Sequence, residues 1–232
     1  LEWAYKISPH INILVLQDYL EPGHEGLQLR TPYNGSWNYP YFLAYEVNNG
    51  FVRDRLYGNV RADWQISDDL SFMVRYGMDT YTEQRETKVA NSYTSDPRGA
   101  YGLVDIKHFE SNADFLLSYK KQLTSFDFSA SIGGNMRRNN GSTIRNATKN
   151  KTGLIVPGVF NLGNILPADL GYSSWFFERG VNSVYGMATI GFKNMAYLDL
   201  SGRTDWSSTL PGADPYFYPA ASLSLLMQDI LG

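Results

Sequence analysis

The sequence predicts an all-β fold, an antiparallel transmembrane β-barrel segment. Three observations lead there: stretches in which polar and apolar residues alternate, connections that are short and long by turns, and an aromatic content of 15%. Strict alternation places successive side chains on opposite faces of a sheet. A sheet with one apolar and one polar face, whose long loops all fall at one end, has the asymmetry of an outer-membrane barrel. The 17 Tyr, 12 Phe and 5 Trp suit pleated, half-covered surfaces.

Taken in order, segments 1–6 and 11–19 alternate loosely and are read as the first two strands. Over 53–66 the pattern is clean: Arg55, Tyr57, Asn59, Arg61, Asp63 and Gln65 share one face, and Leu56, Gly58, Val60, Ala62, Trp64 and Ile66 share the other. Residues 70–81 repeat it, with Phe72, Val74, Tyr76 and Met78 opposed to Ser71, Arg75, Gly77, Asp79 and Tyr81, and only Met73 out of place. Asp114, Ser118 and Lys120 oppose Ala113, Phe115, Leu117 and Tyr119. Asp127, Ser129, Ser131 and Asn135 oppose Phe126, Phe128, Ala130, Ile132 and Gly134. Three more apolar rows follow, from Val184 to Phe192, from Ala196 to Gly202 and from Ala221 to Met227, giving nine strands. Short turns at 7–10, 67–69, 121–124 and 193–195 take turns with long polar loops at 20–52, 82–107, 137–179 and 208–216. About 11 residues per strand, at roughly 3.3 Å each and a tilt near 45°, cover about 25 Å of membrane.

Each face then has an expected role. On the polar one, Arg55, Asn59, Arg61, Arg75, Asp79, Asp127, Asp199, Arg203 and Asp205 face the lumen, the last two as an ion pair on the wall. On the apolar one, Trp64, Phe72, Tyr119, Phe126 and Phe192 lie near the short turns while Trp206 and Phe217 lie near a long loop. These are the two aromatic girdles expected at the membrane interfaces.

Composition excludes several other classes. A net charge of −3 and a pI near 5.6 offer no footprint for a phosphate backbone, so no nucleic-acid partner is expected. No apolar run exceeds five residues, against the roughly 18 that a membrane helix needs. With no Cys and three scattered His, at His10, His24 and His108, neither a thiolate nucleophile nor a metal site is expected, and no nucleophile elbow, phosphate loop or dinucleotide fingerprint occurs. No enzyme and no cofactor is expected. Asp68 and Asp69 are turn formers, Arg137, Arg138, Arg145, Lys149 and Lys151 form a solvated loop face, and the Asn-x-Ser/Thr triplets at Asn34, Asn140, Asn146 and Asn150 are loop composition. Ligand contact is expected from two loop clusters instead: Trp37, Tyr39 and Tyr41 with Phe42 and Tyr45, and Trp175, Phe176 and Phe177. Exposed rings stack on sugar faces or anchor protein interfaces.

The stretch YLDLSGRTDWSSTLPGADPYFYPAASLS, residues 197–224, resembles the signature barrel segment of the SusC/RagA class of TonB-dependent outer-membrane transporters. NADFLLSYKKQLTSFDFSASIGGN, GLIVPGVFNLGN and RGVNSVYGMATIGFKNMAYLDL are similar to the same class, in the family's order, and the resemblance covers most of 41–226. It implies a barrel of about 22 strands around a plug, of which residues 1–232 are a partial barrel domain without the plug. It also implies TonB-dependent import of oligosaccharides or peptides across the bacterial outer membrane, with a SusD-like lipoprotein lid as partner. TonB would be contacted through parts of the parent chain absent here. The remaining alternatives are a small autonomous outer-membrane barrel with a structural or adhesive role, and a soluble carbohydrate-binding β-sandwich.

Overall fold

The structure is a computed structural model that describes residues 12–29, 37–210 and 214–226. Its main element is an antiparallel sheet of seven strands in sequence order: β3 (Val47–Gln65), β4 (Leu70–Val89), β5 (Ala100–Gln122), β6 (Phe126–Thr148), β7 (Leu170–Phe192), β8 (Ala196–Ser207) and β9 (Tyr216–Leu225). Consecutive pairing without crossovers is the meander that short turns enforce. Two further strands, β1 (Leu20–Glu21) and β2 (His24–Gln28), form a small separate hairpin. All seven clean alternating segments are strands of the large sheet. The two looser ones are not among its described strands: 13–17 forms a 3-10 helix, and 1–6 lies outside the described residues.

Register preserves the two faces. Ala188 sits opposite Leu200, Ile190 opposite Leu198 and Phe192 opposite Ala196, while Thr189 sits opposite Asp199 and Tyr185 opposite Arg203. From β8 to β9, Leu198 meets Leu223 and Leu200 meets Ala221, whereas Asp199 meets Ser222. Cross-strand partners point the same way, so one apolar row continues across all three strands. Between β7 and β8 the chain reverses with φ of 49° at Lys193 and 59° at Asn194, and Met195 N donates to Phe192 O at 2.8 Å. Positive φ at both central residues is the hairpin turn whose twist matches the strands.

The strands are longer than the alternation suggests. Residues 82–89 continue β4, 100–107 open β5, 137–148 continue β6 and 170–179 open β7, all assigned to loops by sequence. Consequently Trp175, Phe176 and Phe177 are strand residues, and Arg137, Arg138 and Arg145 stand in β6 rather than in a loop. Outside an apolar layer both faces of a strand are wet, so a segment such as Thr82–Val89 has no alternation to reveal it. The ladder of backbone hydrogen bonds continues regardless.

The chain divides into two compact units. The first (1–54, 82–107, 142–175) contains two small cores: Leu16, Tyr39, Phe42 and Ala90, and Tyr101, Leu154 and Ile165. Helix α1 (Pro40–Glu46) starts on a proline, whose fixed φ suits a first helical turn, and buries Phe42 completely. The buried Gln28 side chain accepts from Tyr39 N and donates to Asn38 Oδ1 (3.1 Å) and Ser92 O (3.2 Å), so three chain segments are tied at one amide. The second unit (55–81, 108–141, 176–232) holds the alternating stretches and all the aromatics expected to form girdles. There Gly133 is where the Tyr185 ring crosses: a Cβ would meet ring carbons at 2.7 Å and Phe115 O at 2.8 Å. No helix among the described residues is long and apolar enough to cross a membrane.

Candidate functional site

In the second unit the polar face is wired by charge. Arg55 donates to both oxygens of Asp79 at 2.9 and 2.5 Å, a two-pronged geometry that a planar guanidinium imposes. Asp114 accepts from Arg75 Nε (2.9 Å) and Asn135 Nδ2 (2.7 Å). Glu110 accepts from Arg137 (2.7 Å) and Asn139 (2.9 Å). Further along, Arg203 donates to Asp205 (2.8 Å) and to the buried Ser183 hydroxyl (2.8 Å), and Thr189 donates to Asp199 (2.5 Å). Arg61 pairs with Asp63 two residues on. Solvated pairs contribute only about 0 to 1 kcal/mol each, so the network orients side chains more than it stabilises the sheet.

A recess of about 500 Å³ opens among these groups, bounded by Tyr57, Arg75, Asp79, Glu110, Asp114 and Asn135. Gly58 and Gly77 also line it. Beside it runs a row of rings: Tyr81 stacks on His108 at 5.0 Å and 23°, His108 meets Phe177 at 6.2 Å, and the Arg179 guanidinium lies 5.2 Å from the Phe177 centroid. Because β6 lies between β5 and β7, the His108–Phe177 contact reaches over a strand, about 9.6 Å at two strand spacings. Of the expected ligand-contact residues only Phe177 joins this row. Tyr81 and His108 were missed as ring partners, although alternation already put Tyr81 on the polar face; nothing local in sequence reveals that three strands bring these rings together.

The other expected contacts separate. Trp37 and Tyr45 are exposed in the first unit, and Tyr41 is half-buried. Tyr39 is 1% exposed and packs with Phe42 in the core, so its expected ligand role is corrected: its ring holds the loop together. Tyr19, Tyr45 and Tyr41 form a parallel stack with centroids 6.4 and 6.3 Å apart. Tyr19 also donates to Glu46 (2.9 Å), and burial together with that carboxylate pushes its hydroxyl up to about 12. Trp175 and Phe176 are exposed on β7. Loop 20–52, expected to be a single long loop, is occupied by the β1–β2 hairpin, helix α1 and the start of β3.

On the apolar face, Trp64, Phe72, Tyr119, Phe126 and Phe192 sit at the turn end of their strands, with Phe126 and Phe192 in contact at 5.0 Å. Trp206 and Phe217 sit at the opposite ends of β8 and β9. From Ala196, opposite Phe192, to Trp206 is ten residues, about 33 Å of strand and about 23 Å along the normal at a 45° tilt. Val60 and Trp64 are 75% and 66% exposed, and no second sheet covers this face among the described residues. Among them no cluster of His, Asp or Glu has the arrangement of a metal site.

No family model matches the sequence, and no curated protein does. Solved structures do match in fold. The RagAB peptide transporter aligns with a TM-score of 0.73 at 17% identity, over 89% of this chain and 23% of that one. The RagAB peptide importer aligns in its 'open-open' state with a TM-score of 0.69 at 16% identity, over 87% and 22% of the two chains. In its 'closed-closed' state the values are 0.68 and 16%, over 85% and 22%. The chain thus spans less than a quarter of the transporter chains it matches, and it has the fold of a piece of their all-β, antiparallel barrel wall.

Proposed function

We propose that this chain is part of the wall of an outer-membrane importer of the SusC/RagA class, with its apolar face in lipid and its ion-paired face toward the lumen. The observation that carries the reading is the sheet itself. One exposed apolar face about 23 Å tall between two aromatic rows lies back to back with a face of paired charges and stacked rings. A soluble sandwich would need a second sheet over that apolar face. A hydrated pore needs the opposite arrangement of a core: charges inside, satisfied by one another yet open to water.

On this reading Arg55, Asn59, Arg61, Arg75, Asp79, Asp127, Asp199, Arg203 and Asp205 line the passage. The Tyr81–His108–Phe177 row gives flat apolar area beside hydrogen-bonding groups, which suits a peptide or an oligosaccharide. Trp37 and Tyr45, exposed in the first unit, contact cargo or a lipoprotein lid on this reading. TonB supplies the energy through the rest of the parent chain. No catalytic step is assigned. The test is uptake by the full-length transporter in cells, comparing wild type with Phe177→Ala and Tyr81→Ala. Impaired uptake of short peptides or glycans at unchanged outer-membrane abundance supports the reading. Unchanged uptake of every cargo tried, together with unchanged growth on them in a full deletion, refutes it.

A further inference from the structure

In the second unit one cation stands on the apolar side of the sheet, and among the described residues no acid pairs with it. Along β6 every second residue from Phe126 to Met136 belongs to the apolar row, and Arg138 is the next member. Its neighbour Arg137 is on the opposite side and meets Glu110 (2.7 Å). Arg138 instead lies across β7, where its Nη1 donates to Asn182 Oδ1 (2.9 Å) and to Arg137 O (3.0 Å). Gly180 makes room for it: a Cβ there would stand 3.0 Å from that nitrogen and 3.3 Å from Cζ. Asn182 is in turn opposite Trp206, the aromatic at the long-loop end of β8. Guanidinium, amide and indole thus follow one another over three neighbouring strands. From Phe126, in the turn-end aromatic row, to Arg138 is twelve residues, about 40 Å of strand and about 28 Å along the normal at a 45° tilt. The cation therefore stands just outside an apolar layer about 25 Å thick.

We propose that Arg138, Asn182 and Trp206 form a binding site for the phosphate of a membrane lipid, at the long-loop rim of the wall. The inference rests on the membrane placement in the importer reading and deepens it, since it names what that rim holds. Three features favour a lipid phosphate. Nη1 uses both of its protons on Asn182 and the Arg137 carbonyl, which leaves Nε and Nη2 as the open edge of the guanidinium. Those two N–H groups run parallel and match two oxygens of one phosphate, and the hold at Nη1 has already fixed the plane of the fork. Depth selects the source, because the first charged group that a lipid carries above its acyl chains is its phosphate, and the site stands at that boundary. Trp206 belongs there for the same reason, its ring toward the chains and its N–H toward the headgroups. The acidic residue on this face of β7, Glu178, is two residues beyond Gly180 and makes no ion pair with Arg138, so the positive charge is left for a ligand.

The experiment uses the purified full-length transporter in dodecyl maltoside micelles and phenylglyoxal, which modifies accessible guanidinium groups. Peptide mass mapping reads Arg138 and, as the reference for any general effect of micelle charge, Arg145 farther along the same strand. The probes are dioleoyl phosphatidate, dioleoylglycerol with the same chains and no phosphate, and inorganic phosphate. Phosphatidate is expected to slow modification of Arg138 relative to Arg145 by about fivefold, whereas dioleoylglycerol and inorganic phosphate leave the ratio unchanged. Equal protection by inorganic phosphate would make this a site for any free anion, and equal protection by dioleoylglycerol an apolar contact. Either result overturns the proposal, as does an unchanged ratio with phosphatidate. Native mass spectrometry of the same preparation counts retained phosphatidate, and Arg138→Gln should weaken that retention by about tenfold while Arg145→Gln leaves it unchanged. Equal retention by wild type and Arg138→Gln overturns the site as well. Uptake in the deletion strain is measured separately, so the importer reading stands or falls on that result and not on this one.

Discussion

A lysine placed on adjacent residues of β7 separates the two faces at one depth. Ala188 belongs to the apolar row, opposite Leu200, and Met187 to the polar face, opposite Ser201. Ala188 is four residues from Phe192 at the turn-end aromatic row, so it stands about 13 Å along the strand and about 9 Å along the normal from that interface. In a layer about 25 Å thick that is within about 3 Å of the midplane, where a lipid-facing lysine costs about 2 to 4 kcal/mol. Ala188→Lys therefore loses roughly thirty- to a thousandfold in the folding equilibrium. Met187→Lys, one residue away, exchanges a half-exposed thioether for a cation that water reaches, at a cost of about 1 kcal/mol or less. Urea titration of the full-length protein refolding into phospholipid vesicles reads both, as midpoint shifts at constant slope. Equal penalties, or a larger one at Met187, would refute the assignment of faces.

Tyr39→Ala empties a core position and should lower stability by about 3 to 5 kcal/mol, while Trp37→Ala, at a half-exposed ring, should cost less, as thermal melts of the two proteins will show. Gly133→Ala forces a methyl into the Tyr185 ring and should cost about 1 to 3 kcal/mol, whereas Gly58→Ala, with no atom within 4 Å of its new carbon, should be close to neutral by the same urea assay. Tyr19 holds its proton more tightly when folded, up to about 12 against 10.0 unfolded, so its contribution is complete below pH 10 and disappears between pH 10 and 12. Tyr19→Phe should remove that loss, visible as a flatter stability profile across this range by fluorescence.

What could be read in the sequence and what could not divide along one physical line. The stretch from Arg55 to Gln65 is legible because one side chain in two meets an apolar environment, and the same holds for Val184 to Phe192. From Thr82 to Val89 and from Arg137 to Thr148 both faces are polar, so the strand continues with no pattern to betray it. The Arg203–Asp205 pair was legible because both residues lie on one strand two positions apart, and it forms at 2.8 Å. Glu83 with Arg85 has that same spacing, but Arg53 reaching Glu83 from the next strand, or Tyr81 against His108, depends on which strands are neighbours and in what register, which no local spacing encodes. Tyr39 misled for a related reason: an aromatic in a polar loop reads as exposed, and only the hairpin, helix α1 and Ala90 packed around it show that the loop has a core.

If the two faces of this sheet meet lipid and water, chemical access along one strand must alternate. The 232 residues contain no cysteine, so single cysteines can be placed at each position from 184 to 190 in β7, in a full-length chain from which any cysteine elsewhere has been removed. In native outer membranes, each is treated with a water-soluble maleimide and, separately, with a fluorophore quenched by brominated lipid. The expected result is alternation: positions 185, 187 and 189 react from water, and 184, 186, 188 and 190 are quenched by lipid. Uniform reactivity along the strand, or alternation in the opposite phase, would contradict it.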